Sequence, residues 1–157
     1  EKAKACNFIV CSNLPRSIES AKILALSNVP QLISDTFREC EMPYNAHNFL
    51  KLSIPAWAIL FRLAQLSGYS PNAESYAKAK RRSKECANQL IELAKHHNKV
   101  LFVGHGTLNW FLHKHLLKSG WQAAKKSPKS YWAFNEYYFC ETSINNASKS
   151  SCAGANQ

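Results

Sequence analysis

Apolar and polar residues fall in blocks along this chain, and the spacing of the apolar positions changes from block to block. Residues 7 to 12 hold the run Phe8-Ile9-Val10-Cys11 between polar neighbours, the pattern of a short buried strand. Pro15 then stands where a helix can begin, and Ile18, Ala21, Ile23, Leu24 and Leu26 keep one side of a period of about 3.6 residues as far as Asn28 to Pro30. Gln31 to Ser34 predicts another strand. From Phe37 to Ser53 the pattern is irregular, with Pro43, Tyr44 and Asn45 marking a surface excursion. Pro55 suits a first helical position, and Trp57, Leu60, Phe61, Ala64 and Leu66 mark the apolar side of a helix that Gly68 can close.

The longest periodic segment runs from Glu74 to His97. It places Tyr76, Ala79, Ser83, Cys86, Ala87, Leu90, Leu93 and Ala94 inward, and Lys78, Lys80, Arg81, Lys84 and Glu92 outward. A basic face of this kind can bind nucleic acid, but its commoner cause is a solvated amphipathic helix. Val100 to Val103 predicts a strand leading into Gly104-His105-Gly106, followed by a helix from Thr107 to Lys118 that ends near Gly120. Gln122 to Ser130 reads as a basic loop, Glu136 to Glu141 as a last strand, and residues 142 to 157 as a disordered tail rich in Ser, Asn, Ala and Lys.

Strands alternating with helices predict an α/β fold, a three-layer sandwich with a mostly parallel central sheet and helices on both faces. One domain is expected over residues 1–141. Right-handed crossovers gather the loops that follow successive strands on one sheet edge, where ligands of open α/β sheets bind. That edge would collect Ser12 to Arg16, the Arg38-Glu39 loop and Gly104 to Thr107.

Composition narrows the partners. The chain has 157 residues, 46% hydrophobic and 11% aromatic, enough for one globular core. Twenty Lys and Arg against ten Asp and Glu give a formal charge of +10, which favours anionic partners. No apolar run approaches the ~20 residues of a membrane span, so no membrane partner is expected. The chain also lacks an aromatic-interleaved basic motif, which disfavours nucleic acid. Charge alone does not choose among anionic partners, and homodimerisation is compatible with any of them. The six cysteines, at 6, 11, 40, 86, 140 and 152, form no CxxC pair and read as reduced, mostly buried thiols of a cytoplasmic protein, disulfides being the alternative. His113 and His115 would project apart on a helix, and no Gly-x-Ser-x-Gly elbow occurs, so neither a metal site nor a serine hydrolase is expected.

Three side chains on the predicted edge carry candidate chemistry. The Arg16 guanidinium is a planar, permanently charged fork suited to phosphate oxygens, against the alternative of a surface ion pair. His105 could serve as base, phosphate donor or nucleophile, or be structural. Glu39 could give a proton to a leaving alcohol, with Arg38 as a competing ion-pair partner. The glycines beside His105 allow close backbone approach to a ligand, and the N–H groups opening the next helix suit an anion.

Val10-Cys11-Ser12-Asn13-Leu14-Pro15-Arg16-Ser17-Ile18-Glu19-Ser20-Ala21 resembles the Ser-x-x-x-Arg-Ala-x-Glu-Thr-Ala signature of the histidine phosphatase superfamily, the phosphoglycerate mutase-like proteins. Thr36-Phe37-Arg38-Glu39 is similar to that family's Leu-Arg-Glu segment. Glu74-Ser75 with Arg81 or Arg82 is similar to its Gly-Glu-Ser and following arginine, with Ala73 in place of the glycine. Phe102-Val103-Gly104-His105-Gly106 matches its second histidine motif. The four segments stand in the family's order from Asn7 to about Glu141.

The resemblance implies phosphoryl transfer through a phosphohistidine, with a small phosphorylated molecule as substrate. By position, Arg16, His105 and Gly106 would bind the phosphoryl group, Glu39 would protonate the leaving group, and Ser12 and Glu74 would support the site. No cofactor is implied. Gly106 stands where the acid phosphatase and phytase branch has an Asp, which places the chain in the mutase-like branch. The family's attacking histidine lies in an Arg-His-Gly segment upstream of the Ser-x-x-x-Arg signature. No histidine precedes Ser12 here, residue 1 is Glu and the first methionine is Met42, so this segment is expected to be missing. The compact length favours a phosphomonoesterase over a mutase. The alternative is a catalytically inactive phosphate- or partner-binding protein. Residues 42–71, with Trp57, Phe61 and Tyr69, would form a cap-like insertion, and Lys125, Lys126 and Lys129 could draw anions to the mouth.

Overall fold

A computed structural model describes residues 5–24, 29–41, 53–69, 73–124 and 134–139. Strand β1 (Phe8–Ser12) lies between β2 (Gln31–Ser34) and β3 (Val100–Val103), parallel to both. Helix α1 (Pro15–Leu24) follows β1, α2 (Ile54–Leu66) and α3 (Tyr76–His97) separate β2 from β3, and α4 (Gly106–Lys118) leaves the end of β3. The chain divides into two compact units, Glu1–Leu112 and His113–Gln157, with the boundary inside α4.

The first unit is a layered α/β structure, and β1 shows why. Ile9, Val10, Cys11 and Ser12 are all fully buried, because a central parallel strand is covered on both faces. Their alternation sorts two cores. Ile9 and Cys11 pack with Leu101 and with Ala21 of α1 on one side. Val10 packs with Ala79, Cys86, Ala87 and Leu90 of α3 and with Leu108, Phe111 and Leu112 of α4 on the other. Helices thus cover both faces of the parallel sheet, as the alternation of elements predicts.

Local signals set the helix limits. Pro15 opens α1 and Pro55 stands in the first turn of α2, where a missing N–H costs nothing. Ser75 caps α3 by accepting a hydrogen bond from the Lys78 N–H, and Asn98, at φ 65°, ends it in the left-handed region that Asn tolerates. Gly68 and Gly120, at φ 94° and 86°, turn the chain after α2 and α4.

Several expectations need correction. Leu60 is exposed rather than inward, together with Ile59 and Leu63, so α2 is apolar on its outer side as well. The reading of residues 122–130 as loop fails at its start. Trp121–Ala123 forms β4, which pairs antiparallel with β5 (Tyr137–Phe139) in a separate two-stranded sheet of the second unit. Three-residue strands carry too little periodicity to be read alone. In that unit Trp121 also meets Phe139, and His113 Nδ1 lies 2.8 Å from the Tyr137 hydroxyl. Leu26 and the expected helix end at Asn28, residues 42–52 and 70–72 of the insertion, the Leu66 side chain, Lys125, Lys126, Lys129 and the tail at 142–157 lie outside the described residues.

The two glycines of the Gly-His-Gly turn do different things. A Cβ on Gly104 would collide with the Phe102 ring and come within 2.9 Å of Asn109 Oδ1, whereas one on Gly106 would meet open space. Gly104 therefore keeps Phe102 in its place against Phe37, at a ring separation of 5.3 Å. Gly104→Ala is expected to destabilise the protein by about 1–3 kcal/mol, and Gly106→Ala by no more than about 0.5 kcal/mol. Urea titration of the two variants measures both.

Candidate active site

The carboxyl ends of β1 and β3 lie side by side, with Cys11 opposite Val103 in the register. This brings Ser12 and His105, 93 residues apart in sequence, to one point. Both are buried, His105 being 7% exposed and Ser12 fully enclosed, so their polar atoms need partners inside the protein. The Ser12 hydroxyl lies 2.7 Å from His105 Nε2. Ser17, in the first turn of α1, completes the junction. Its hydroxyl donates to the Val103 carbonyl at 2.7 Å and accepts from the Ser12 N–H at 3.2 Å, tying both strand ends to α1.

Arg16 precedes Ser17 and is exposed, with Nε 3.4 Å from His105 Nδ1. Arginine can only donate, so Nδ1 accepts and the neutral ring carries its proton on Nε2, directed at Ser12 Oγ. The ionisation of His105 agrees. Burial pushes its pKa below the usual histidine value, with the Glu39 charge raising it and the Arg16 charge lowering it further. His105 is therefore neutral at pH 7, with both nitrogens engaged.

Glu39 reaches this centre from the loop after β2, close enough for its charge to act on His105. Its Oε1 accepts from the Cys40 N–H at 3.0 Å. The expected competition from Arg38 gives way to a different arrangement, in which the cation that organises the loop is Arg82 of α3. Arg82 donates to the carbonyls of Thr36 and Arg38 at 2.7 and 2.9 Å and pairs with both Glu74 oxygens at 2.9 and 2.6 Å. Arg81, the other candidate, is exposed. Glu74 thus anchors the arginine that holds the Thr36–Glu39 segment.

The buried thiols nearby are poor nucleophiles. Burial pushes Cys40 and Cys86 up to about 11, outweighing the opposing charge of Arg82, so the reactive thiolate is scarce at neutral pH. Cys6, Cys11, Cys40 and Cys86 are all unpaired with one another. Among the described residues no group of three or more His, Cys, Asp or Glu converges to hold a metal ion.

The model of the histidine phosphatase superfamily, branch 1, matches residues 2–144. The chain belongs to this superfamily. Among solved structures, that of the open reading frame Rv3214 from Mycobacterium tuberculosis aligns at 20% identity and a TM-score of 0.45, over 67% of this chain and 51% of that one. This histidine phosphatase chain therefore aligns with about half the length of that protein. No curated protein matches it.

Sequence reasoning placed Ser12, Arg16, Glu39 and His105 at this edge and missed Ser17 and Arg82 as its organisers. Ser17 had one signal, a hydroxyl where the family signature has alanine. Arg82 stood beside an equivalent arginine, and only the helix phase separates the two. Replacing Arg82 with Met is expected to cost about 1–3 kcal/mol, through lost charged hydrogen bonds and an unpaired Glu74. It should also loosen Glu39, whose charge raises the His105 pKa, so His105 should titrate lower still in a histidine NMR titration. Lys78→Met, an exposed change on the same helix, should move neither quantity.

Proposed function

We propose that this histidine phosphatase edge binds the phosphoryl group of a small phosphomonoester and belongs to an enzyme that hydrolyses it through a phosphohistidine. The observation that carries the reading is the Arg16–His105–Ser12 chain. It presents a permanent cation and a titratable ring at the same strand ends, with Glu39 within electrostatic reach. Arg16 supplies N–H donors to the phosphoryl oxygens, which bind a planar fork well. Gly106, with open space where a Cβ would stand, offers backbone at the start of α4.

His105 in this reading stabilises the phosphoryl group and does not attack it. Its two nitrogens face Ser12 and Arg16 in the free site, and a dianion beside the ring favours the imidazolium, whose Nδ1–H becomes a donor as Arg16 turns from the ring to the phosphoryl oxygens. The attacking histidine comes from an Arg-His-Gly segment outside these 157 residues. Its nitrogen bonds to phosphorus as the bond to the leaving oxygen breaks, Glu39 gives that oxygen a proton, and water then releases phosphate from the histidine. Residues 1–157 alone bind phosphate and do not turn over substrate. The four free cysteines among the described residues suit a reducing compartment such as the cytoplasm. Among the described residues no helix is long and apolar enough to cross a membrane.

Anion binding should depend on pH in a direction fixed by His105. Its pKa is depressed in the free site and raised by a bound dianion, so affinity is greatest below the free value and is lost as pH rises through the bound value. Sulfate, whose own charge is constant over about pH 5 to 8, is the suitable probe. Calorimetry should show proton uptake on sulfate binding at neutral pH in the native chain. Arg16→Ala should abolish binding, and His105→Gln should flatten the pH dependence.

Catalysis has a separate test. An in-frame Arg-His-Gly behind an apolar strand is expected upstream in the coding DNA, and the chain extended to include it should hydrolyse an aryl phosphate. Loss of that activity in Arg16→Ala and His105→Ala is the expected control. If no such segment exists, phosphate or partner binding without catalysis replaces the enzymatic reading.

A further inference from the structure

Beside the Gly-His-Gly turn, the first unit contains a cleft of about 350 Å³ lined by Arg62, Gln65, Tyr76, Gly106, Thr107, Trp110 and Phe111. Gly106 and Thr107 follow His105 directly, so one end of the cleft adjoins the phosphoryl site. Three of its seven lining residues are aromatic. Tyr76 and Phe111 pack with ring centres 5.5 Å apart, Trp110 meets Phe111 edge-on at 4.9 Å, and Trp110 remains 47% exposed.

One cation belongs to this apolar space. Arg62 of α2 donates from NH2 to Thr107 Oγ1 at 2.8 Å and from NH1 to Gln65 Oε1 at 3.0 Å. Both acceptors are neutral, so these bonds orient the guanidinium without neutralising it. Gln65 is itself locked. It is 2% exposed, and its amide nitrogen donates to the Glu74 carbonyl at 2.7 Å and the Glu41 carbonyl at 3.2 Å. A buried glutamine with its amide committed to two backbone carbonyls has only its oxygen to offer, and that oxygen holds Arg62. The fork is pre-organised in one orientation, an arrangement suited to an anionic group.

We propose that this cleft binds the leaving-group portion of the substrate, and that Arg62 selects a planar, aromatic alcohol bearing a second anionic group. The inference rests on the phosphoryl site described above and adds the substrate class. The volume suits one substituted ring. An aromatic body lies against Trp110, Tyr76 and Phe111, while its anion pairs with Arg62. Arg62 is thus a specificity-determining residue, and Gln65 and Thr107 are its positioning residues.

Phosphonates that cannot be hydrolysed test this without turnover. Titration calorimetry compares 4-carboxybenzyl phosphonate, benzyl phosphonate and methylphosphonate on the native chain and on Arg62→Gln, Arg62→Lys, Trp110→Leu and Arg16→Ala. The carboxylated ligand should bind the native chain about tenfold more tightly than benzyl phosphonate. That ratio should fall to near one in Arg62→Gln and to an intermediate value in Arg62→Lys, which keeps the charge but not the fork. Trp110→Leu should reduce the preference of both ring compounds over methylphosphonate. If the phosphonates bind in an Arg16-dependent way but the ratio is near one, or survives in Arg62→Gln and Arg62→Lys alike, the cleft assignment is wrong while the phosphoryl site stands. If none of them binds, both readings fall.

Discussion

The structure turns on one buried polar junction at the carboxyl edge of the sheet, where Ser12, Ser17, Val103 and His105 satisfy one another. The end of a central strand is a poor place for polar atoms, because helices cover both faces and water is excluded. The Ser17 hydroxyl resolves this for two backbone groups at once, and Ser12 does so for the histidine ring. What results is mechanical as well as energetic. β1, β3 and the start of α1 are joined at the place where Arg16 and His105 must be held in mutual register.

Around that junction the charges are arranged by distance and not by sequence proximity. Arg16 contacts the His105 ring and suppresses its protonation, while Glu39 acts on it in the opposite direction. Burial is the largest influence; it acts with Arg16 against Glu39 and leaves a neutral histidine. On the proposed reading, an arriving dianion would convert that ring into a cation, a property that follows from a low pKa next to a permanent cation. Arg82 contributes from behind, converting the Thr36–Glu39 loop from a free excursion into a braced one through two carbonyls and one carboxylate.

The same economy of contacts governs the cleft. Gln65 has no charge and almost no exposure, yet its hydrogen bonds decide where the Arg62 fork stands. Thr107 completes the grip from the first turn of α4, two residues beyond His105. The proposed phosphoryl and leaving-group sites thus share one structural element, the turn from β3 into α4. Gly104 keeps the core side of that turn thin and Gly106 keeps its outer side open.

Much of this was legible in the chain itself. The apolar run at Phe8 to Cys11 marked a strand, because four consecutive apolar residues between polar neighbours suit a short element covered on both faces, and the structure made that strand central. The period through Tyr76 to Ala94 determined the buried side of α3. The order of motifs gave the superfamily and named Arg16, Glu39 and His105 before any geometry. Hydrophobic period reports which residues face inward, but it is blind to which partners they meet there. Tertiary structure alone chose Arg82 over Arg81, gave Ser17 its two backbone partners and brought Arg62 to Thr107 across 45 residues. It also exposed Leu60 and paired Trp121–Ala123 with Tyr137–Phe139, because a hydrogen bond between distant segments has no periodic trace in sequence. Local patterns fixed the elements, and the satisfaction of buried polar groups fixed the site.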